Sequence, residues 1–301
     1  MKNKVITVFG TGFIGKNLIY QLLEMGNIVR AVSRNPYLQG KLGPMGNAGN
    51  LDICYGNIVK PQTIESYIAN SDIIINLVGV LHESGGETYF NSHVTGVKNI
   101  AELSLKHEVN ELIHISSIGA NENSDSKYQS TKGKGEKILL KNFPKAKIIR
   151  PSIVFGPGDG FFSIQSKIVK LSPIVPMFGG GKNKFQPIYV KDLIEGIIKL
   201  LNSKDDHGKV YEFGGPDVMT MKEVYELILK TLEIKRLLIP APTVVAKFIA
   251  TFAQLLPDPI ITRDLVKILK FDNVVNQKVN TIESLGINPQ SPKAIVPTYL
   301  N

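Results

Sequence analysis

Val5-Ile6-Thr7-Val8-Phe9 is an unbroken β-branched and apolar run that stops at Gly10. That is the pattern of a strand covered on both faces. From 13 to 25 the period changes. Ile14, Leu18, Ile19, Leu22 and Leu23 recur at helical spacing, and Gly26 closes the run as C-terminal glycines do. Strand patterns return at 28–33, 51–55 and 73–78. A long helix is predicted over about 88–107, a fifth strand over 112–116, another helix over about 127–140 and a sixth strand over 146–149. Six apolar strands separated by helices in roughly 150 residues predict an α/β fold, a doubly wound parallel sheet of the Rossmann type. Ligands of such sheets bind beyond the carboxyl ends of the strands.

After Arg150 the pattern loosens around Pro151, Pro157, Pro173, Pro176 and Gly179-Gly180-Gly181. The run 185–190 reads as a strand returning to the sheet, with Asp192 capping a helix to about Leu201. A short strand at Tyr211-Glu212-Phe213, a helix over about 221–232 and more helix after Pro242 follow. The expected division is a doubly wound domain over 1–155, with a return segment at about 184–203. A smaller C-terminal lobe is built from 156–183 and 204–301.

Composition narrows the function. Hydrophobic residues make up 43% and charged residues 20%, which argues against disorder. The formal charge of +9 favours anionic partners such as phosphates or an acidic membrane surface, or reflects lysines decorating helices. No basic block interleaved with aromatics is present, so nucleic acid is not an expected partner. Cys54 is the single cysteine, which excludes an internal disulfide and suits a reducing compartment, here the cytoplasm. Its apolar surroundings place it in the core. The start of the chain carries no signal-peptide pattern, and no apolar run approaches the ~20 residues of a membrane span. His82, His93, His107, His114 and His207 show no metal-ligand spacing, so no metal is expected.

Three places carry chemistry. Gly10-Thr11-Gly12-Phe13-Ile14-Gly15 lies between the first strand and the first helix. Glycines there let the backbone approach a pyrophosphate, and the helix start offers N–H donors and positive dipole. The end of the second strand selects the cofactor. NAD binders place an acid there for the ribose 2′-hydroxyl, whereas this chain has Ser33-Arg34, which suits a 2′-phosphate. The expected cofactor is NADP(H) in preference to NAD(H), unless Arg34 is a solvated loop residue. Tyr128-Gln129-Ser130-Thr131-Lys132 follows Ser116-Ser117 at the end of the fifth strand. On a helix Tyr128 and Lys132 share a face one turn apart. The ammonium can lower the tyrosine pKa and hold a ribose hydroxyl, the tyrosine can act as general acid or base, and Ser116 or Ser117 can hold the reacting oxygen.

With these residues in view, the chain resembles an extended short-chain dehydrogenase/reductase. The resemblance also rests on Asn76-Leu77-Val78-Gly79, on 93–99, on Arg150-Pro151-Ser152-Ile153-Val154-Phe155-Gly156-Pro157 and on Tyr189-Val190-Lys191-Asp192. Within that superfamily it is most similar to the atypical branch containing the nucleotide-binding accessory subunit of respiratory complex I and its bacterial relatives. The strings that carry this are 76–81, 185–190, Gly214-Gly215-Pro216 and Asp272-Asn273-Val274-Val275. The resemblance implies that Gly10, Gly12 and Gly15 face the pyrophosphate, Arg34 the 2′-phosphate and Asn57 the adenine. Lys132 would hold the nicotinamide ribose, and Pro151 and Ser152 would pack near the ring. Phe13, Ile14, Ser33, Val78 and Gly79 complete the cofactor-binding candidates. Two features depart from the family pattern. The glycine loop is one residue shorter than G-x-x-G-x-x-G, and the interval from Ser117 to Tyr128 is short.

Three functions fit: a catalytic oxidoreductase using Tyr128, an NADP(H)-binding protein that steadies a respiratory or quinone-linked membrane assembly without turnover, and a nucleotide-sugar epimerase or dehydratase. The substrate is correspondingly a quinone, a ketone or a nucleotide sugar. The apolar stretch 243–256 has a single charge, Lys247. It is either a buried helix of the smaller lobe or an element that lies peripherally on a membrane or respiratory complex.

Overall fold

The protein is described by a computed structural model covering residues 2–36, 49–203, 205–253, 262–268 and 271–300. Its first half alternates strands β1 (Val5–Phe9), β2 (Ile28–Ser33), β3 (Leu51–Tyr55), β4 (Ile73–Asn76), β5 (Glu111–Ile115) and β6 (Lys147–Pro151) with helices α1 (Phe13–Glu24), α2 (Glu65–Ala69), α3 (Gly96–Lys106) and α4 (Lys127–Asn142). A π-helical turn, Asn91–Thr95, leads into α3. From Pro151 onward come β7 (Val154–Phe155), α5 (Phe162–Leu171), β8 (Ile174–Phe178), β9 (Lys184–Phe185), β10 (Ile188–Tyr189), α6 (Val190–Leu201), β11 (Val210–Phe213) and β12 (Met219–Thr220). The described elements end with α7 (Met221–Thr231), β13 (Leu237–Ala241), α8 (Thr243–Ala253), α9 (Arg263–Ile268), β14 (Asn280–Thr281) and α10 (Pro292–Ile295).

The main sheet has eight strands in the order β14-β11-β6-β5-β4-β1-β2-β3, all parallel. Continuous apolar strands are required because both faces are covered. In β4, Ile73 and Ile75 join the core beneath α1 and α6, while Ile74 faces the opposite core with Ile100 of α3 and Leu139 of α4. β3 is different because it is an edge strand. Ile53 and Tyr55 are exposed and Cys54 is only half-buried, which corrects its expected place in the core.

The segment 185–190 does not return to the main sheet. Pro187 has no N–H for a ladder and splits the run in two. β9 pairs with β12 and β10 with β7, each in a separate two-stranded sheet. β11 and β14, both drawn from 204–301, are the strands that extend the main sheet beyond β6. Asp192 is not the cap of α6. Tyr189 holds that position, and the buried Asp192 carboxylate instead accepts from the Gln290 backbone N–H at 2.6 Å. Helices α5, α7, α8 and α9 and the parallel pair β8–β13 lie outside the main sheet.

Two cations, one partly and one fully buried, tie the first half of the chain to the second. Arg150 on β6 donates to Glu136 of α4 at 2.9 and 2.6 Å and reaches Glu212 of β11 at 3.4 Å. Lys147, fully buried, donates to Glu111 at 2.7 Å and to the Leu200 carbonyl at 2.6 Å.

Candidate functional site

The strand order reverses between β1 and β4, and the glycine turn lies at that reversal. Gly10 has φ +97°, and a Cβ there would come within 3.1 Å of the Leu77 carbonyl carbon. A Cβ on Gly15 would sit 2.1 Å from the Gly10 oxygen. These two glycines let strand, turn and helix pack together. Gly12 is of another kind: a Cβ there would meet nothing within 4 Å. It is the N-cap of α1, without a side-chain cap and without an acid in the first turn, so the helix start keeps its N–H donors for an anion. Phe13 and Ile14 open the helix and pack against the core below. The shortened loop is closed by backbone bonds from Gly10 N to Val32 O at 3.0 Å and from Lys16 N to Gly12 O at 2.9 Å.

At the end of β2, the Ser33 hydroxyl is buried with no hydrogen-bond partner. Arg34 beside it is partly exposed and forms an ion pair with Glu87, from the loop after β4. Burial lowers its pKa from the ordinary guanidinium value. Asn57, beyond β3, has its amide oxygen engaged by the Val59 N–H at 3.0 Å.

The ends of β4 and β5 meet α4. Asn76 accepts from the Val78 N–H at 3.1 Å and turns the chain toward Gly79. A Cβ on Gly79 would stand 3.1 Å from Lys132 Nζ, so the missing side chain leaves room for that lysine. Lys132 is buried, donates to the Ile115 carbonyl at 3.3 Å and lies 6.0 Å from the centroid of the Tyr128 ring. Burial pushes its ammonium down to about 8, against the attraction of Glu136. The hydroxyls of Ser116 and Ser117 are buried, and that of Ser116 has no hydrogen-bond partner. Tyr128 is half-buried. Burial raises its pKa, and the Ser117 hydroxyl acts in the opposite direction. A phenol held neutral is suited to donate a proton rather than to accept one.

His93 was legible only as part of a family string, yet it is central here. Its Nε2 accepts from the Val80 N–H at 3.2 Å, which places the proton on Nδ1 facing Thr131 Oγ1 at 3.0 Å. Its pKa is pushed down to about 2, first by burial and then by Lys132 and His114, so it is neutral. Its ring stacks on Tyr89 at 5.6 Å and meets Tyr128 edge-on at 5.3 Å. The three rings form one wall beside the Tyr128 hydroxyl and cannot carry a charge near neutral pH.

Glycine turn, serine pair and Tyr–Lys helix thus converge on the carboxyl edge of a parallel sheet. A model of the NAD dependent epimerase/dehydratase family matches residues 6–214. The chain belongs to that family. Its relatives include the mitochondrial NADH-ubiquinone oxidoreductase 40 kDa subunit of Neurospora crassa, 28% identical over 94% of this chain and 75% of the relative. The mitochondrial NADH dehydrogenase [ubiquinone] 1 alpha subcomplex subunit 9 of Dictyostelium discoideum is 34% identical over 82% of this chain and 69% of the relative. In fold the chain is similar to a dTDP-glucose 4,6-dehydratase from Bacillus anthracis solved with NAD, with TM-score 0.74 and 18% identity over 99% of this chain and 95% of that one.

This epimerase/dehydratase-family chain uses its C-terminal part to hold the site. Pro151 ends β6, and the buried Ser152 hydroxyl donates to Asn273 Oδ1 at 2.5 Å. Asp264 of α9 accepts from Ser126 Oγ at 2.8 Å and from the N–H groups of Lys127 and Tyr128, both at 2.9 Å. It therefore caps the helix that carries Tyr128 and Lys132, from more than 130 positions away in the chain. No sequence signal pairs Asp264 with that helix. Among the described residues no cluster of His, Cys, Asp or Glu is arranged to hold a metal.

Proposed function

We propose that this protein binds NADP(H) in preference to NAD(H) and is a reductase-type subunit of a quinone-linked respiratory assembly. The observation that carries the cofactor reading is the end of β2, where a guanidinium and a buried, unpartnered serine hydroxyl replace the carboxylate of an NAD site. Gly10, Gly12, Phe13, Ile14 and Gly15 serve the pyrophosphate, Ser33 and Arg34 the 2′-phosphate, and Asn57 the adenine. Val78 and Gly79 line the path to Lys132, which holds the nicotinamide ribose, and Pro151 and Ser152 back the ring. Residues 1–155 form the dinucleotide half, and the smaller lobe supplies substrate and partner contacts. Titration of wild type with both cofactors is expected to give NADPH about ten- to a hundredfold tighter than NADH, from one charge-assisted pair of roughly 1.5–3 kcal/mol. Equal affinities in wild type rule the preference out.

A bound reduced nicotinamide supplies a hydride. The chain supplies the rest: Tyr128 donates the proton, Ser116 or Ser117 orients the oxygen that receives it, and Lys132 keeps positive charge beside that oxygen. A second reading, epimerase or dehydratase chemistry on a nucleotide sugar, is favoured by the family match and by neighbours such as the dTDP-glucose dehydratase.

The assembly reading draws on what the relatives are named for and on α8. That helix turns Ala246 and Ala250 inward against Phe178 and Val266, and carries its large side chains outward. Val244, Val245, Phe248, Ile249 and Phe252 are all exposed, Phe248 by 68%. The helix is thus not the buried one considered from sequence; 254–256 of that stretch lie outside the described residues. Among the described residues no helix is long and apolar enough to cross a membrane. We expect peripheral binding: cosedimentation with anionic vesicles at low salt, weakened by salt and by Phe248→Glu. No binding to anionic or neutral vesicles at low salt rejects lipid contact by α8.

A further inference from the structure

In the sheet β2 and β4 flank β1 on either side. Arg34 follows β2 and Glu87 belongs to the loop after β4, so their ion pair spans the carboxyl end of β1 and the glycine turn that emerges from it. Glu87 is not a passing contact on a loose loop. It closes a tight turn in which the Ser84 N–H donates to the Glu87 carbonyl at 3.1 Å and the Glu87 N–H donates to the Ser84 carbonyl at 2.8 Å. Gly85 and Gly86 supply the positive φ angles, +55° and +86°, that this turn needs. The loop is anchored again where Glu83 accepts from the Tyr89 N–H at 3.0 Å. The backbone therefore presents the Glu87 carboxylate toward Arg34. Beside it, the Ser33 hydroxyl is buried and unpartnered.

We propose that Glu87 is a second determinant of cofactor choice: its carboxylate competes with the adenosine 2′-phosphate for the Arg34 guanidinium. This rests on the reading that Arg34 takes the 2′-phosphate. A guanidinium fork binds one planar or tetrahedral anion at its best geometry, and a phosphate carries more charge than a carboxylate. A cofactor with a 2′-phosphate draws Arg34 away from Glu87 and places a like charge near the freed carboxylate, which loosens the 84–87 turn. NAD(H) does neither, so the pair persists over it. Glu87 thus restrains the NADP(H) preference and reports which cofactor is bound.

The probes are NADPH, NADH, and the fragments 2′,5′-ADP and 5′-AMP, titrated calorimetrically against wild type, Arg34→Ala, Glu87→Gln and the double variant. Glu87 is on a surface turn, and unchanged circular dichroism and melting check that the variants fold. Exposed ion pairs have modest strength, so Glu87→Gln is expected to tighten NADPH and 2′,5′-ADP by roughly two- to fivefold and to leave NADH and 5′-AMP unaltered. In the Arg34→Ala background the same change is expected to have no effect. Hydrogen exchange at 84–89 is expected to quicken with 2′,5′-ADP and not with 5′-AMP. If Arg34→Ala leaves the NADPH-to-NADH ratio unchanged, the parent reading of Arg34 fails. If Arg34→Ala collapses the ratio while Glu87→Gln leaves it alone, Glu87 is no competitor. An equal gain from Glu87→Gln with and without Arg34 also overturns the proposal, because simple charge repulsion then explains it.

Discussion

Tyr128→Phe is expected to lower any turnover by about 100- to 10,000-fold, the usual effect of losing a general acid or base. Fold and cofactor affinity are expected to survive. The phenylalanine ring keeps the edge-on contacts with Tyr89 and His93 at 5.8 and 5.3 Å. The backbone N–H of residue 128 keeps its bond to Asp264. Only the hydroxyl is lost, the group proposed as the proton source, which interacts with the buried Ser117 hydroxyl. Lys132→Ala is expected to differ, weakening cofactor binding as well as rate. The measurement is NADPH oxidation with quinones, ketones and nucleotide sugars, followed by a respiration assay in cells. If Tyr128→Phe matches wild type in both and still binds NADPH, catalysis through Tyr128 is rejected and the cofactor is a structural or sensing ligand.

The second large effect separates two glycines of one motif. Gly15→Ala is expected to cost roughly 3 kcal/mol of stability, the upper end of overpacking, because the added carbon strikes the Gly10 backbone oxygen at 2.1 Å rather than a yielding side chain. For a chain of this size that is a fall of roughly 6–12 °C in Tm. Gly12→Ala adds a carbon that meets no protein atom within 4 Å, so Tm is expected to hold. Its penalty is expected on cofactor binding, if the pyrophosphate approaches the backbone there as proposed. Calorimetric melting and cofactor titration of both variants give the comparison. Equal melting temperatures for the two would show that the Gly10–Gly15 contact is not tight.

The reason for what was legible is locality. Gly10, Gly12 and Gly15 act within one turn, and Tyr128 and Lys132 within one helical turn, so their spacing along the chain is their spacing in space. The continuous apolar runs of β1, β4, β5 and β6 announced a sheet covered on both sides. Edge position left a weaker trace: 51–55 reads as core in sequence, and only the strand order shows that β3 has one neighbour. The contacts of Asp264 with the start of α4 and of Asn273 with Ser152 depend on long-range placement, which the local sequence of Asp264 does not encode and which Asn273 shows only as part of a family string. The depressed lysine and the raised tyrosine were hidden for a related reason. Both follow first from burial, which the Tyr–Lys spacing does not report.

The parallel pairing of β6 with β11 has a consequence for how the chain is made. During synthesis the first six strands leave the ribosome with Ile148 and Ile149 on an open edge, because Val210–Phe213 has not yet been translated. Lys147 at that stage has Glu111 as a partner but not yet the carbonyl of Leu200. The nascent N-terminal half is therefore a sticky intermediate rather than a finished domain, exposed for the time needed to translate some sixty more residues. A fragment ending at 155 should precipitate or bind chaperones, and any scheme that borrows the dinucleotide half as a portable module must carry β11 with it.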